Sequence, residues 1–588
     1  MTDSNDLPVQ DRTGRGRRLL TVLGWIGAVL GLGSLGAAWS FASPVGASAD
    51  EPAHLVYAYG VATGQVLPGQ ETMWSEADAS GEQGADPARL RVTVPEALMD
   101  LEFVDCYITN SADTPSCGPR EFPPDWYDAD GNISTRTYMT RYSPVYYWPV
   151  GMTMRAALEF GASGEWALGL ARLVSTAWSV GLLSIAFAVL RRRFRAAGLV
   201  AVGAAVLIPS AWSLMTSINP NGFEIASAIL LAACVAAVRH DRQARDRVGV
   251  WLQVLLVLAA FMLAWSRPLS FVWAGALLLI LLLPVRGRRW SVSGLSWWTV
   301  GGAAAVVLGG FGWMLWSIQL RSDTQADADV WAASSPGLRI VAILLRFGDM
   351  ATDSLAAMGW REYNLPMLTV VLSLVVPAAV LGALAAGARR PAVRPWAAAG
   401  FLTLTLLAIV LHTFVTGFGW QGRYILALFA AAVVLLTPSL QGQALSARQR
   451  RRAGLVALAS ATLVMAVSLT LVLWRYIYGT APVFMRFPDL PYPHRAEQWT
   501  PLVGQAGVFV LAGIGLVLVA VAAVGSLVRD GGAPVPGTGE PALVGPAPGP
   551  NPPEDDGAEQ VPAADPAVVA ASVPGATQRP SRRDLRES

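Results

Sequence analysis

The sequence predicts an all-α protein that crosses a membrane about twelve times, and three observations support this. The chain has 588 residues, of which 53% are hydrophobic and 14% are charged, whereas soluble domains carry about 25% charged residues. The apolar residues fall into runs of about 17–25 residues, the length at which a helix spans a bilayer. Arginines are concentrated in every second connection between these runs. This pattern excludes a soluble enzyme, a fibrous protein and a disordered chain.

A transmembrane domain is predicted over residues 19–528, preceded by a short N-terminal segment, 1–18. The first span, 19–41, is too long for the apolar core of a signal peptide. The others are predicted at 168–190, 197–217, 222–238, 248–265, 269–285, 297–319, 366–386, 396–415, 424–438, 453–474 and 504–528. The spans 222–238 and 424–438 are short, which predicts tilted or partly re-entrant helices. Residues 529–588 are rich in Pro, Ala and Gly, which predicts a disordered tail.

The arginines predict how the chain is oriented in the membrane. Short connections with an excess of Arg face the cytoplasm in multi-pass proteins. This rule places both termini inside and predicts a plasma (inner) membrane protein. The arginine-rich connections are 15–18, 191–195, 239–247, 286–289, 389–394 and 448–452. The long segments 42–165, 320–365 and 475–503 then lie outside, and they carry most of the acidic residues.

Two adjacent carboxylates follow the first span, in the sequence Ser48-Ala49-Asp50-Glu51-Pro52-Ala53-His54-Leu55-Val56-Tyr57. Ser48 and Glu51 match a capping box at a helix start. Capping explains neither the second acid nor His54, which lies one helical turn away. We therefore predict that Asp50 and Glu51 act as a general base. A divalent metal on Glu51 and His54 is an alternative, although two ligands are too few.

Two further motifs belong to the same outer face. Arg141-Tyr142-Ser143-Pro144-Val145-Tyr146-Tyr147-Trp148-Pro149 closes the first long loop. Its aromatic residues are typical of a membrane interface, while Arg141 is suited to a lipid phosphate or to Asp50. Gly419-Trp420-Gln421-Gly422-Arg423-Tyr424 precedes a late span. Arg423 is suited to bidentate phosphate binding, or it is an arginine that snorkels to the interface.

Weaker candidates share this face, and their convergence supports an outer site. They are Arg172, the turn Ser217–Gly222 with Glu224, Arg267, and Gly359-Trp360-Arg361-Glu362. His412 is interpreted as a packed side chain. Cys106 and Cys117 lie in the first long loop, where an oxidising compartment would preserve a disulfide.

Six motifs in order resemble the bacterial membrane family catalogued as domain of unknown function 2142. They are DEPAHLVYAYGVATGQ, RYSPVYYWPVG, SINPNGFE, WSRPLSF, MGWREYNLP and GWQGRYILAL. The chain departs from the family at Asn221-Gly222, where an Asp is common, and in a long polar stretch between Gln65 and Thr137. That family in turn resembles the GT-C glycosyltransferases, multi-span enzymes that use polyprenyl-phosphate sugars and carry an acidic residue in the first outer loop.

The resemblance implies a GT-C-like fold and a sugar transfer on the outer face. A polyprenyl-phosphate-linked sugar would be the donor, and an envelope glycan or lipid would be the acceptor. By this resemblance Asp50 and Glu51 fall on the acidic position. The substrate would contact His54, Tyr57, Arg141, Tyr146, Arg267, Gln421, Arg423 and Tyr424. Membrane lipids are expected partners, and nucleic acid is not. No cofactor is assigned, and a divalent metal is the one alternative considered.

Two other function classes remain open from the sequence. A flippase or transporter of a lipid-linked glycan predicts ionisable residues near the membrane midplane, and the span centres contain almost none. A non-catalytic protein of envelope assembly predicts that the acidic pair is dispensable.

Overall fold

A computed structural model describes residues 11–530 apart from several gaps. The gaps are 67–72, 76–84, 100–104, 118–123, 125–126, 140, 245–246, 285–293, 319–330, 332, 389–390, 392, 417–420 and 481–498. The N-terminal residues 1–10, nearly all of the tail 529–588, about a quarter of the segment 320–365 and most of the segment 475–503 therefore lie outside the described residues.

Helices dominate the described chain. In order they are α1 (Asp11–Phe41), α2 (Glu51–Thr63), α3 (Asp105–Ile108), α4 (Pro144–Glu159), α5 (Gly164–Arg191), α6 (Ala196–Val206), α7 (Pro209–Met215), α8 (Pro220–Ala244), α9 (Val250–Ala264), α10 (Ser270–Leu279), α11 (Trp297–Ile318), α12 (Pro336–Ala356), α13 (Met367–Ala385), α14 (Pro395–Thr416), α15 (Leu426–Leu435), α16 (Ala447–Tyr478) and α17 (Gly504–Arg529). Single 3₁₀ turns occur at Glu96–Leu98, Pro115–Cys117, Ile280–Leu282, Gly422–Ile425 and Thr437–Ser439.

The protein is a polytopic helical membrane protein. Within the described ranges, nine helices are long and apolar enough to cross a membrane, and a bent pair gives a tenth. This pair, α6 and α7, bends by 78° next to Pro209, because proline removes a helix hydrogen bond and restricts the preceding residue. Two shorter apolar helices, Val250–Ala264 and Ser270–Leu282, match two further predicted spans. The count of twelve stays a prediction.

Helix α8 is the centre of the bundle. The apolar stretch by which it qualifies as a membrane span is wholly buried, and α8 packs against α5, α7, α9 and α15. The prediction of a short span at 222–238 was wrong, because α8 continues through Arg239 and Asp241. Both side chains have polar partners: Arg239 donates to the carbonyl of Ile280 at 2.7 Å, and Asp241 forms an ion pair with Arg193 at 2.6 Å.

The first and last helices pack closely through glycines. A Cβ added to Gly31 in α1 would lie 3.0 Å from the carbonyl oxygen of Gly515 in α17. Small residues allow helix backbones to approach in membranes, where lipid provides no hydrophobic drive for helix association. The packing of α1 against α17 therefore depends on the complementary shapes of the two helix surfaces.

The first long loop contains a sheet, which corrects the all-α prediction locally. Strands β1 (Met73–Ser75), β2 (Ala85–Pro95) and β3 (Asn132–Thr137) form an antiparallel sheet in that order. Val92, Val94 and Ile133 alternate toward one face and pack with Val56 of α2 and Met99. Alternation of this kind is typical of a half-buried strand. The sequence analysis did not predict this strand, because the surrounding segment is polar. A two-stranded ribbon, β4 (Ala357–Met358) and β5 (Tyr363–Asn364), follows α12.

The described connections collect at two ends of the bundle. The arginine-rich end contains residues 191–195, 239–242, 280–284, 437–450 and 526–530, which hydrogen-bond to one another. The other end, called the loop end, contains residues 42–50, 141–143, 216–222, 265–270, 357–366 and 421–425. This separation matches the alternation of arginine-rich connections, and it places the candidate residues at one end.

Candidate functional site at the loop end

Asp50 occupies a strained position between α1 and α2. It is the N-cap of α2 with a φ of 61°, and its side chain caps no backbone nitrogen. Left-handed backbone is uncommon for a residue with a side chain, although Asp is among the more tolerant types, and it costs about 1–3 kcal/mol. Only half of the capping box considered from the sequence is formed: the Glu51 carboxylate accepts from the Ser48 backbone nitrogen at 3.4 Å, whereas Ser48 Oγ accepts from Ser217 Oγ at 3.1 Å.

The Asp50 carboxylate joins the first loop to a distant turn. One oxygen accepts a hydrogen bond from the Tyr138 hydroxyl at 2.8 Å, and the other forms an ion pair with Arg423. Burial raises the pKa of Asp50, but Arg423, His54 and the Tyr138 hydrogen bond outweigh burial and hold it below the ordinary value. The side chain is 22% exposed, so this carboxylate is partly accessible to solvent.

Glu51, the neighbouring acid, has a structural environment. Its carboxylate receives Arg172 Nε at 2.8 Å and Nη2 at 2.5 Å, and it is 0% exposed. Backbone nitrogens of Gly46 and Ile218 also donate to it, at 3.0 and 2.8 Å. The remaining nitrogen of Arg172 binds the carbonyls of Ser40 and Ser43. The expectation that Glu51 shares the base role is therefore corrected, because its lone pairs are used internally.

His54 and Tyr57 lie on the buried face of α2. His54 Nδ1 shares a hydrogen bond with the Tyr147 hydroxyl at 2.8 Å, and Tyr57 donates to the carbonyl of Tyr142 at 2.7 Å. Burial lowers the pKa of His54 to about 3, so the ring is neutral at physiological pH. Both side chains connect α2 to the segment Tyr142–Tyr147 by buried hydrogen bonds.

The donor set does not fit a divalent metal. Glu51 is committed to Arg172 and His54 to Tyr147, so the pair considered from the sequence shares no site. Asp50 faces a guanidinium, which repels a cation. Across the parts of the chain that are described, no group of three His, Cys, Asp or Glu side chains is arranged to hold a metal ion.

The aromatic motif is divided between the core and the surface. Tyr146 and Tyr147 are 1% and 0% exposed, whereas Trp148 is 59% exposed. The Tyr146 hydroxyl shares a hydrogen bond with Ser175 Oγ at 2.9 Å. The interface interpretation is therefore wrong for Tyr146 and Tyr147, and it stays a prediction for Trp148. Arg141 contributes its carbonyl to the Trp313 indole at 3.1 Å, and the Asp50 oxygens are taken by Tyr138 and Arg423 rather than by Arg141.

Arg423 combines burial with unused hydrogen-bonding capacity. Its side chain is 10% exposed, and Nη2 reaches both Asp50 and the Tyr424 hydroxyl. Its Nε and Nη1 are buried and make no hydrogen bond to any described residue. A buried donor without a partner costs about 1–3 kcal/mol, so this guanidinium is suited to a further acceptor.

The glycine before Arg423 serves protein packing. A Cβ on Gly422 would clash with the backbone nitrogen of Ser354 and the carbonyl of Met350. Close backbone packing therefore accounts for the glycine at position 422, while Gly419 lies outside the described residues. Gln421 accepts from the backbone nitrogen of Tyr424 at 3.0 Å through its own carbonyl, which closes the 3₁₀ turn.

A second guanidinium lies beside the same tyrosine. The Arg267 guanidinium carbon lies 4.2 Å from the centroid of the Tyr424 ring, and that of Arg423 lies 5.1 Å from it. Arg267 pairs with Glu224 at 3.1 Å, and its Nε is buried without a hydrogen bond. Each arginine therefore has one carboxylate, and Tyr424 holds the two cations in place through cation–π contacts.

A small polar cavity borders Arg423. Its volume is about 40 Å³, and Ser48, Asp353, Gly359, Arg361, Gln421 and Arg423 contribute to its wall. Arg361 has a φ of 74° and pairs with Asp353 at 2.7 Å. A space of this size holds water molecules and no sugar, so any larger ligand requires the surrounding side chains to move.

The disulfide loop and Glu362 complete the loop end. Cys106 and Cys117 form a disulfide, and the buried Arg475 donates to the carbonyls of Tyr107 and Asp113 within this loop, at 2.8 and 2.6 Å. Glu362, a weak candidate in the sequence, is 2% exposed, and burial raises its pKa to about 7.

Sequence reasoning missed Tyr138 entirely. Its hydrogen bond to Asp50 depends on β3, which ends one residue earlier, and on Thr137 Oγ1, which donates to the carbonyl of Ala53 at 2.8 Å. No local pattern marks this tyrosine. The partners of Glu51 and Glu224 were quoted only as weak candidates, Arg172 and Arg267, because their pairing is nonlocal.

Comparisons with known proteins identify a family. The search of curated proteins found no match. Among solved structures, the chain is similar to ArnT from Cupriavidus metallidurans bound to undecaprenyl phosphate, with 15% identity, a TM-score of 0.34, and coverage of 81% of this chain and 75% of ArnT. A TM-score this low does not establish a common fold. The model of the predicted membrane protein family DUF2142 matches residues 34–432, more than half of the sequence and including Asp50 and Arg423. The chain therefore belongs to the DUF2142 family of predicted membrane proteins.

Proposed function

We propose that the protein transfers a sugar from a polyprenyl-phosphate donor to a glycan or lipid of the cell envelope, at the extracytoplasmic face of the plasma membrane. The observation that carries this proposal is the ion pair between Asp50 and Arg423. It combines a partly exposed carboxylate with a guanidinium that has two buried nitrogens without a hydrogen bond to any described residue. These groups suit proton removal from a hydroxyl and phosphate binding.

The reaction assigns one role to each partner. The acceptor hydroxyl oxygen attacks the anomeric carbon of the donor sugar, and the bond from that carbon to the phosphate oxygen breaks. Asp50 takes the hydroxyl proton, a step worth roughly 10²–10⁴ in rate. The electron pair leaves with the polyprenyl phosphate, whose charge Arg423 stabilises. Arg267, whose guanidinium carbon lies 4.2 Å from the centroid of the Tyr424 ring, adds positive charge.

Donor binding would also activate the base. Arg423 is the strongest of the groups that lower the pKa of Asp50, and burial acts against it. A donor phosphate competes with Asp50 for this guanidinium. Once Arg423 turns to the phosphate, burial and the added negative charge raise the pKa of Asp50. The carboxylate becomes a stronger base when the donor is bound.

Binding requires the loop end to open. The cavity beside Arg423 has a volume of about 40 Å³, too small for a sugar. The ion pair of Arg361 with Asp353 borders this cavity, and its arginine is 44% exposed. Exposed ion pairs contribute little stability. Breaking this pair to widen the cavity therefore costs little free energy.

The test is a transfer assay with purified protein in liposomes that contain radiolabelled polyprenyl-phosphate sugars and an envelope lipid extract. We compare the wild type with Asp50→Asn and Arg423→Gln. Glu159→Gln is the matched control, because Glu159 is an exposed carboxylate at the end of α4 whose ion-pair partner among the described residues is Arg155. Product formation by the wild type and Glu159→Gln, with a loss of at least 10²-fold in Asp50→Asn, supports the proposal.

Other outcomes separate the alternatives. Movement of labelled donor between leaflets without a glycosidic product would indicate a flippase. Equal activity of Asp50→Asn and the wild type would refute the base assignment. Absence of both transfer and movement, with every tested donor, would favour a structural role in envelope assembly.

A further inference from the structure

A large apolar cavity reaches the arginine-rich end. Its volume is about 820 Å³, and residues of α1, α5, α6, α7, α16 and α17 line it. Ligand sites for small molecules are typically about 300–1,000 Å³. Along α1 the lining runs from Thr21 to Leu35; the helix rises by roughly 26 Å from Gly24 to Phe41 and by roughly 9 Å from Leu35 to Phe41. The arginines that line the cavity therefore lie at the opposite end of the bundle from Asp50 and Arg423, whereas its inner end lies closer to that site.

The interior of this cavity is suited to hydrocarbon. Its lining includes Leu32, Leu35, Phe187, Leu207 and Met465. These residues lie in helices that qualify as membrane spans, or in the bent pair α6–α7. Hydrocarbon chains of membrane lipids match such a surface, because burying apolar area is favourable.

The mouth of the cavity carries positive charge that no described carboxylate neutralises. Arg191 is satisfied: it pairs with Asp530 at 2.5 Å and donates to Ser526 Oγ at 3.0 Å. Both carboxylate oxygens of Asp530 accept hydrogen bonds, one from Arg191 and the other from the backbone nitrogen of Ala196. Arg192 and Arg529 also line the cavity. Both are exposed, and neither has an ion-pair partner among residues 11–530 as far as these are described.

We propose that this cavity binds one anionic phospholipid, with its acyl chains between the helices and its phosphate on Arg192 and Arg529. Arginine binds phosphate oxygens in a bidentate manner, and basic pockets between membrane helices recognise acidic lipid headgroups. A zwitterionic lipid fits the apolar walls equally well but gains less from the two cations. The bound lipid would connect α1 and α17 with α5, α6 and α16.

Lipid binding to the full-length protein in detergent is measured by native mass spectrometry and by the thermal unfolding midpoint. The probes are phosphatidylglycerol and phosphatidylcholine with identical acyl chains. We expect retention of one phosphatidylglycerol and a rise in the unfolding midpoint that phosphatidylcholine does not produce. The double variant Arg192→Gln with Arg529→Gln should bind phosphatidylglycerol about 10- to 30-fold more weakly.

A matched control removes two other exposed arginines of the same end. Arg451→Gln with Arg452→Gln changes the net charge equally, and neither residue borders the cavity. This variant should bind like the wild type. Equal weakening in both double variants would overturn the proposal, since binding would then depend on total charge. Equal binding of the two lipids by the wild type would also overturn it.

A second variant tests the cavity with the arginines intact. Ala461→Phe places a ring in the cavity wall and should reduce phosphatidylglycerol retention without a change of charge. Retention at the level of the wild type in a folded Ala461→Phe protein would show that the lipid lies elsewhere. This measurement is independent of the transfer assay, so it stands or fails separately from the proposed function.

Discussion

Glu51 and Arg172 form a fully buried bidentate ion pair, with nitrogen–oxygen distances of 2.8 and 2.5 Å. The side chains are 0% and 1% exposed. The pair fixes the turn between α1 and α2, and it fixes the position of the adjacent Asp50. Two neighbouring carboxylates therefore have different surroundings: Glu51 holds the backbone, and Asp50 pairs with the guanidinium of Arg423.

Glu51→Gln should destabilise the protein by about 3–5 kcal/mol, because it leaves the buried Arg172 charge without a counter-charge. Asp50→Asn should cost much less, since Asp50 is partly exposed. Thermal unfolding in detergent measures both. Similar unfolding midpoints for the two variants would contradict the division of roles.

Removal of Arg423 should shift the acid side of the pH–rate profile. Arg423 holds the pKa of Asp50 below its ordinary value, while burial raises it. In Arg423→Gln the burial remains and the opposing charge is lost, so the pKa of Asp50 rises. A residual transfer activity that depends on ionised Asp50 then declines at a higher pH than in the wild type. An unshifted acid side would mean that Asp50 is not the titrating base.

Acidification should destabilise the protein through His54. The ordinary His pKa is near 6.5, and burial lowers it to about 3 in the folded state. The unfolded chain therefore binds the proton first as the pH falls, and stability is lost between pH 6.5 and 3. At pH 5 the loss is about 2 kcal/mol. His54→Gln should show a shallower dependence of the unfolding midpoint between pH 7 and 5; parallel curves would refute this origin.

Reduction of the disulfide should loosen the loop that holds Arg475. The sequence separation of Cys106 and Cys117 is 11, for which loop closure contributes about 3 kcal/mol at most. A reductant should lower the unfolding midpoint of the wild type. The variant Cys106→Ser with Cys117→Ser should start from that lower midpoint and be insensitive to reductant, and any remaining sensitivity would have to arise elsewhere.

Gly422→Ala should impair the site through packing. The added methyl group would clash with the backbone of Ser354 and Met350 and displace the turn that carries Arg423. We expect transfer to fall by at least tenfold, about 1.4 kcal/mol in barrier. Gly400→Ala is the control, because nothing lies within 4 Å of the added carbon there. Unchanged activity in Gly422→Ala would show that the turn tolerates displacement.

The sequence by itself determined the class of the protein and the end of the bundle at which its polar residues collect. Runs of apolar residues dictate membrane helices, because a chain in lipid must satisfy its backbone hydrogen bonds internally. The positions of the arginine-rich connections followed from the same pattern. Family membership could also be read from the six motifs, and the match over residues 34–432 confirms it.

Only the tertiary structure decided which charged side chains meet. Asp50 and Glu51 are adjacent in the chain, yet one pairs with Arg423 and the other with Arg172, at sequence separations of 373 and 121. Tyr138 follows a strand of a sheet that the sequence of the polar loop did not predict, and it donates a hydrogen bond to Asp50. Local patterns encode periodicity and capping, whereas ion pairs between distant segments depend on helix packing and loop docking, which no single stretch of sequence contains.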